Sequence, residues 1–186
     1  MIITETKLKG VFLIDLERKE DERGFFARTW CRNEFEQRGL NPRLVQCSVS
    51  FNKHKGTLRG LHYQAAPHEE AKLVRCTRGA IHDVAVDLRP DSPTYLRWTA
   101  AELTAANGRA LYVPEGCAHG FQTLADDSEV LYQISEFYCP ESARGARWDD
   151  PAFGIEWPPA VRRILSERDA AYPDYCYVKT DRSLGR

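Results

Sequence analysis

No two cysteines in this chain stand in a C-x-x-C spacing, which removes the strongest local signature of a cysteine zinc site. Six cysteines are scattered instead, at Cys31, Cys47, Cys76, Cys117, Cys139 and Cys176. They read as reduced and mostly buried thiols, because charges interrupt Met1 to Lys9 before a secretory apolar region could form. No segment approaches the length needed to span a bilayer, so no membrane is expected and the location is expected to be cytoplasmic. A basic run or tail is also missing. The 26 Lys+Arg and 27 Asp+Glu are interspersed, which argues against nucleic acid as a partner and leaves room for a small anion held by a few arginines. There is no internal repeat, low-complexity tract or linker, so residues 1–186 read as one domain, long enough to bury a sizeable core.

What is present is a dense series of turn signals, among them Glu22-Arg23-Gly24, Gly39-Leu40-Asn41-Pro42, Asn107-Gly108 and Pro114-Glu115-Gly116. Between them lie short stretches rich in β-branched and aromatic residues. Over 81–88, Val84, Val86 and Leu88 share one face and Asp83 and Asp87 the other; over 129–138, Val130, Tyr132, Ile134 and Tyr138 share a face. Many short strands at this spacing predict an all-β sandwich or barrel. Two short helices are expected at its periphery, one over 33–38 capped by Asn33, the other starting at the capping-box-like Ser166-Glu167-Arg168-Asp169. The polar tail from Lys179 to Arg186 is expected to fray.

Lys55 to Gln64 carries the first chemistry, an arginine (Arg59) and a histidine (His62) three residues apart. Strict alternation puts Leu58, Gly60, His62 and Gln64 on one face, with Gly60 leaving open space beside the imidazole. A lone strand histidine is commonly structural; open space beside it favours a ligand. The second cluster, Pro114-Glu115-Gly116-Cys117-Ala118-His119-Gly120, resembles half of the second cupin motif, and Lys72 with Gly79 resembles the end of the first. Metal-binding cupins carry H-x-H and a glutamate there. Here the alternation reads His62-Tyr63-Gln64 and a lysine replaces the acid, which argues against a metal. His62, Lys72, His119 and Tyr132 suit proton transfer beside a carbonyl instead: a neutral imidazole as base, an ammonium at the enolate oxygen and a phenol on the far wall.

Read as a whole, the chain resembles the dTDP-4-dehydrorhamnose 3,5-epimerase family. The likeness runs in order through Asp21 to Phe26, Lys55 to Gln64, Lys72 to Cys76, Asp83 to Arg89, Ser92 to Tyr95, Tyr112 to Phe121, Arg147 to Pro151, Gly154 to Pro158 and Ser166 to Asp169. It implies a cupin double-stranded β-helix, a jelly-roll barrel, acting without a cofactor or metal as a homodimer on a nucleotide-diphosphate 4-keto-6-deoxy sugar. In such a sugar C3 and C5 both flank the C4 ketone. The resemblance makes His62 the base, Asp169 the group that orients it, Lys72 the enolate-binding cation and Tyr132 the far-side acid. It makes His119 a pocket donor with Asp83 behind it, and assigns substrate contacts to Arg23, Phe26, Gln46, Arg59, Tyr138 and Arg168, with the Phe26 strand reaching a partner subunit.

Two departures, Ala27-Arg28 and Gln46-Cys47-Ser48-Val49-Ser50, fall where the family holds its nucleotide. Thymidine, cytidine and guanosine diphosphate sugars therefore stay open. So do inversion at one carbon only and a non-catalytic sugar-nucleotide-binding cupin; a 3,4-ketoisomerase is disfavoured by the full His62, Lys72, Tyr132 and Asp169 set.

Overall fold

A computed structural model describes residues 1–176. The expectation for Lys179 to Arg186 lies outside the described residues. In chain order the elements are β1 (Ile2–Glu5), β2 (Phe12–Asp15), β3 (Lys19–Asp21), β4 (Gly24–Phe26), α1 (Arg32–Glu36), β5 (Gln46–Asn52), β6 (Leu58–Gln64) and β7 (Lys72–Arg78). They continue with β8 (Ala80–Asp87), β9 (Trp98–Thr104), β10 (Ala110–Val113), β11 (Cys117–Thr123), β12 (Ser128–Ile134), β13 (Ala143–Gly145) and α2 (Glu167–Ala170).

Two antiparallel sheets carry the fold, ordered β1-β2-β10-β7-β12-β5 and β13-β6-β11-β8-β9, with β3 and β4 apart as a hairpin. Apart from β1-β2 and β8-β9, neighbours in each sheet come from distant parts of the chain, as in the jelly-roll barrel of cupins. Apolar side chains from both sheets meet between them: Val74 and Cys76 of β7, Leu111 and Val113 of β10 and Val130 of β12 against Ile81 and Ala85 of β8 and Phe121 of β11. Each large side chain fully buried there contributes about 1.5–3 kcal/mol.

The outer faces are covered too. Phe35 of α1, Leu40 and Met1 pack with Ile14, Leu73 and Tyr112 over the six-stranded sheet. The segment from Ala146 to Tyr175 brings Phe153, Trp157 and Tyr175 against Leu61, Val84, Val86 and Leu88 on the five-stranded sheet. That second cover explains the uninterrupted burial of β11. A strand buried on both faces has no polar face to show.

Three expectations need correction. Helix α1 begins one residue earlier than expected, with Cys31 at its N-cap and no side-chain capping bond, because Asn33 already lies inside the first turn. Only Cys76 and Cys117 are buried; Cys47 and Cys176 are exposed and Cys31 and Cys139 half-buried, all six unpaired. The short strands and loops that carry those four lie at the margins of the barrel, where one face meets solvent. The third concerns β6. Against β11, His62 is opposite His119 but Arg59 is opposite Phe121, so three steps along β6 match two along β11. The extra residue is a bulge. It turns Arg59 to the same side as His62 and sends Leu61 into the outer apolar layer.

Nor is there open space at Gly60. A Cβ placed there would lie 2.6 Å from the Gly120 Cα and 2.7 Å from the His119 carbonyl oxygen, at a φ of +116°. The glycine permits close strand contact and the bulge, rather than leaving a void for ligand.

Candidate active site

The two sheets enclose a cavity of about 390 Å³ at the end of the barrel where β5, β6, β7, β11 and β12 converge. His62, Arg59 and His119 come from the five-stranded sheet; Lys72, Tyr132 and Gln46 come from the six-stranded sheet across from it. Tyr138, in the loop after β12, closes one side. Seven residues expected from the sequence thus share one wall-to-wall space.

His62 projects from the bulged part of β6, and its Nε2–H donates to Asp169 Oδ1 at 2.7 Å. The carboxylate acceptor fixes the proton on Nε2 and leaves the Nδ1 lone pair free. Asp169 comes from α2, where Ser166 caps the helix by accepting from the Asp169 N–H at 3.1 Å. Its second oxygen accepts from the Gly60 N–H at 3.2 Å. Burial disfavours the charged carboxylate, but the His62 interaction and the bonds from Gly60 and Ser166 outweigh it and hold Asp169 below the ordinary Asp range. Capping and orientation are therefore done by one residue: its backbone completes the helix and its side chain holds the imidazole. Tyr172 adds an edge-on ring contact to His62 at 6.1 Å, in a space a Cβ at Gly145 would fill.

Lys72 opens β7 with its side chain buried. Its Nζ donates to the His62 carbonyl at 3.2 Å and pairs with Glu70 at 2.9 Å. His119 lies deeper, Nε2 bonded to Asp83 Oδ1 at 2.7 Å, and its ring meets Tyr132 edge-on at 5.9 Å. The second Asp83 oxygen is buried with no hydrogen-bond partner among the described residues. Burial, with Asp83 adding to it, pushes the Tyr132 phenol well above its ordinary range, so its proton is firmly held.

Arg59 Nε donates to Asn52 Oδ1 at 2.7 Å, and Asn52 is anchored in turn by bonds to the carbonyls of Ser50 and Ser128. That fixes the guanidinium through Nε and leaves its two terminal nitrogens for a forked acceptor such as phosphate. Gln46 accepts the Tyr138 N–H at 2.6 Å, tying the mouth of the cavity to β5. Arg168 lines a smaller adjoining space of about 170 Å³ with His62, Glu70, Tyr138 and Arg144. Arg23 and Phe26 are not in the cavity wall of their own chain. They stand on the β3–β4 hairpin, Phe26 71% exposed and Arg23 paired with Asp21.

Ser48 and Ser50, which alternate with Gln46 on β5, also line the cavity, as do Ile134 and Glu70. The first two were legible as a period-two face; Glu70 carried no signal of its own in the sequence. Of the departing pair Cys47-Ser48, only Ser48 faces the ligand space.

The donor set does not fit a divalent metal. Gln64, at the second position of the metal-cupin H-x-H, spends its amide on the His68 and Phe137 carbonyls and on the Cys139 N–H. Two imidazoles face the cavity, and the group in place of a third, anionic ligand is an ammonium.

Comparison with known proteins places this geometry. The family model described as dTDP-4-dehydrorhamnose 3,5-epimerase matches residues 5–176. A dTDP-4-dehydrorhamnose 3,5-epimerase of Sinorhizobium fredii is 44% identical over 176 residues, covering 95% of this chain and 90% of the relative. The crystal structure of the enzyme of that name from Elizabethkingia anophelis superposes with a TM-score of 0.91 at 40% identity, covering 94% of this chain and 96% of that one. A dTDP-6-deoxy-D-glucose-3,5-epimerase from Legionella pneumophila, crystallised with dTDP-4-keto-L-rhamnose, gives 0.86 at 37% identity, covering 92% and 90%. With a cupin barrel, two histidine–aspartate pairs and an ammonium and a phenol facing one cavity, and with this likeness along nearly its whole described length, the chain belongs to the dTDP-4-dehydrorhamnose 3,5-epimerase family.

Proposed function

We propose that this chain converts dTDP-4-dehydro-6-deoxyglucose to dTDP-4-dehydrorhamnose by inverting C3 and C5. The observation that carries the reading is the placement of His62 and Tyr132 on opposite sheets across one cavity, with Lys72 at its side. Inversion needs a proton removed from one face of the ring and returned to the other. His62 Nδ1 takes the proton from carbon, with Asp169 orienting the ring and stabilising the imidazolium that forms. Charge then develops on the C4 oxygen, which the Lys72 ammonium stabilises as an enolate, with His119 lining the same cavity. Tyr132 delivers a proton from the opposite wall; burial keeps the phenol protonated until the carbanion-like carbon faces it. Both target carbons flank one ketone, so a ring that shifts within the cavity presents each in turn to the same pair.

Arg59 holds the diphosphate, and Gln46, Tyr138 and Arg168 close over the nucleotide end. The exposed β3–β4 hairpin supports a homodimer in which Arg23 and Phe26 complete the partner's nucleotide site; light scattering should then return twice the chain mass.

The test is incubation with dTDP-4-dehydro-6-deoxyglucose in D₂O, with C3 and C5 followed by NMR. Deuterium at both carbons with inversion is expected. Exchange at one carbon would make the chain a mono-epimerase, and no exchange would overturn the reading.

A further inference from the structure

We infer that Glu70 is a positioning residue for the reaction, holding the Lys72 ammonium where the C4 oxygen develops charge. This rests on the function proposed above and concerns the same cavity.

Glu70 lies two residues before Lys72 in an extended segment, so both side chains fall on the cavity side while Ala71 between them packs into the outer core. The two charges are 2.9 Å apart, with side chains only 11% and 9% exposed. An ammonium has three N–H donors. That of Lys72 is ion-paired with Glu70 and donates to the His62 carbonyl at 3.2 Å, which leaves donor capacity for a ligand oxygen. The ion pair and that bond together restrict where the head group sits. They also tie the cation on the six-stranded sheet to the strand that carries the base, so ammonium and imidazole keep one relative position.

A lysine has a flexible four-carbon stem, and without an anchor its head group samples many positions. Removing one partner of a buried ion pair leaves the other charge uncompensated, which favours its displacement toward water. Misplacing a reacting group by about 1 Å can cost on the order of 100-fold in rate. Glu70 borders both the cavity and the adjoining space lined by Arg144 and Arg168, so its carboxylate adds a negative charge among these cations. This keeps the ammonium in the cavity rather than driven from it by like charge.

Glu70→Gln keeps the shape and removes the charge. The expected result is a kcat for C3 and C5 exchange lowered about 10- to 100-fold, with KM and the affinity for dTDP, which lacks the sugar, unchanged. Glu70→Asp, which keeps the charge on a shorter arm, should recover part of the loss. A melting temperature close to wild type accompanies both. The inference is overturned if Glu70→Gln exchanges at the wild-type rate, or if dTDP affinity and exchange fall in parallel, since a general distortion would move both. A wild-type chain that exchanges neither carbon would instead refute the proposed function, so the two failures are distinguishable.

Discussion

Two histidine–aspartate pairs stand on neighbouring strands of the same sheet, His62 with Asp169 and His119 with Asp83, each bonded Nε2 to Oδ1 at 2.7 Å. Their surroundings differ. The His62 side chain is 41% exposed to the cavity and its aspartate arrives from a separate capped helix. His119 and Asp83 are 4% and 0% exposed, both supplied by adjacent strands of the barrel. The same hydrogen bond therefore serves two ends. Where the imidazole is accessible and its carboxylate has every oxygen satisfied, the pair can accept and release a proton. Where both are sealed and an aspartate oxygen has no partner among the described residues, the pair acts as a fixed wall of the cavity. Accessibility, not bond length, separates base from scaffold.

Breaking each histidine tests that division most strongly. His62→Asn should lower exchange at C3 and C5 by about 10³-fold or more while dTDP affinity is kept, whereas His119→Asn should leave exchange measurable at about one-tenth to one-hundredth of wild type. Equal losses, measured by NMR in D₂O, would erase the distinction. The aspartates should follow the same order. Asp169→Asn removes the group that sets the imidazole tautomer and should cost about 10²- to 10⁴-fold in exchange. Asp83→Asn should cost less than about tenfold, because it acts only through His119. A reversed order would put the base on the inner strand.

The smallest effect is on stability. Asp169 is held below the ordinary aspartate range in the folded chain, against about 3.9 when unfolded. Its stabilising bonds are therefore complete above about pH 4 and are lost as pH falls through the lower folded value. Asp87 adds to the same acid limb: burial opposes its charge, but bonds from Arg89, Ser92 and Thr94 win and lower it. Urea titrations from pH 6 down to pH 2 should show stability declining below about pH 4, and Asp169→Asn should flatten part of that decline. An unchanged slope would mean the pair contributes nothing to folding.

The sequence made the open pair more legible than the sealed one. His62 stands in a glycine-flanked run and Asp169 in a capping signature, and both signals were local. Alternation over Asp83 to Val86 of β8 and Val130 to Ile134 of β12 was read correctly because those residues pair regularly with their neighbours, whereas Tyr138 lies past the end of β12, in a loop. It misled on β6, where a bulge moves Arg59 onto the His62 face; nothing in a period-two pattern announces an extra residue. Gly60 was the only trace of it, and it marked close backbone approach rather than empty space. Glu70 escaped notice because an acid two residues before a lysine is ordinary on a solvated strand. Only the fold shows that this pair is buried beside the base. The exposed thiols were misjudged for the converse reason, since composition does not say which strands lie at an edge.

The central claim is that His62 and Tyr132, from opposite sheets, act on opposite faces of one sugar ring. Tyr132→Phe tests it most directly, with deuterium entry at C5 and inversion at C5 followed in the same D₂O sample. The account predicts that exchange persists while inversion falls well behind it, because the base still removes and returns a proton on its own face. Exchange and inversion falling by the same factor would contradict it.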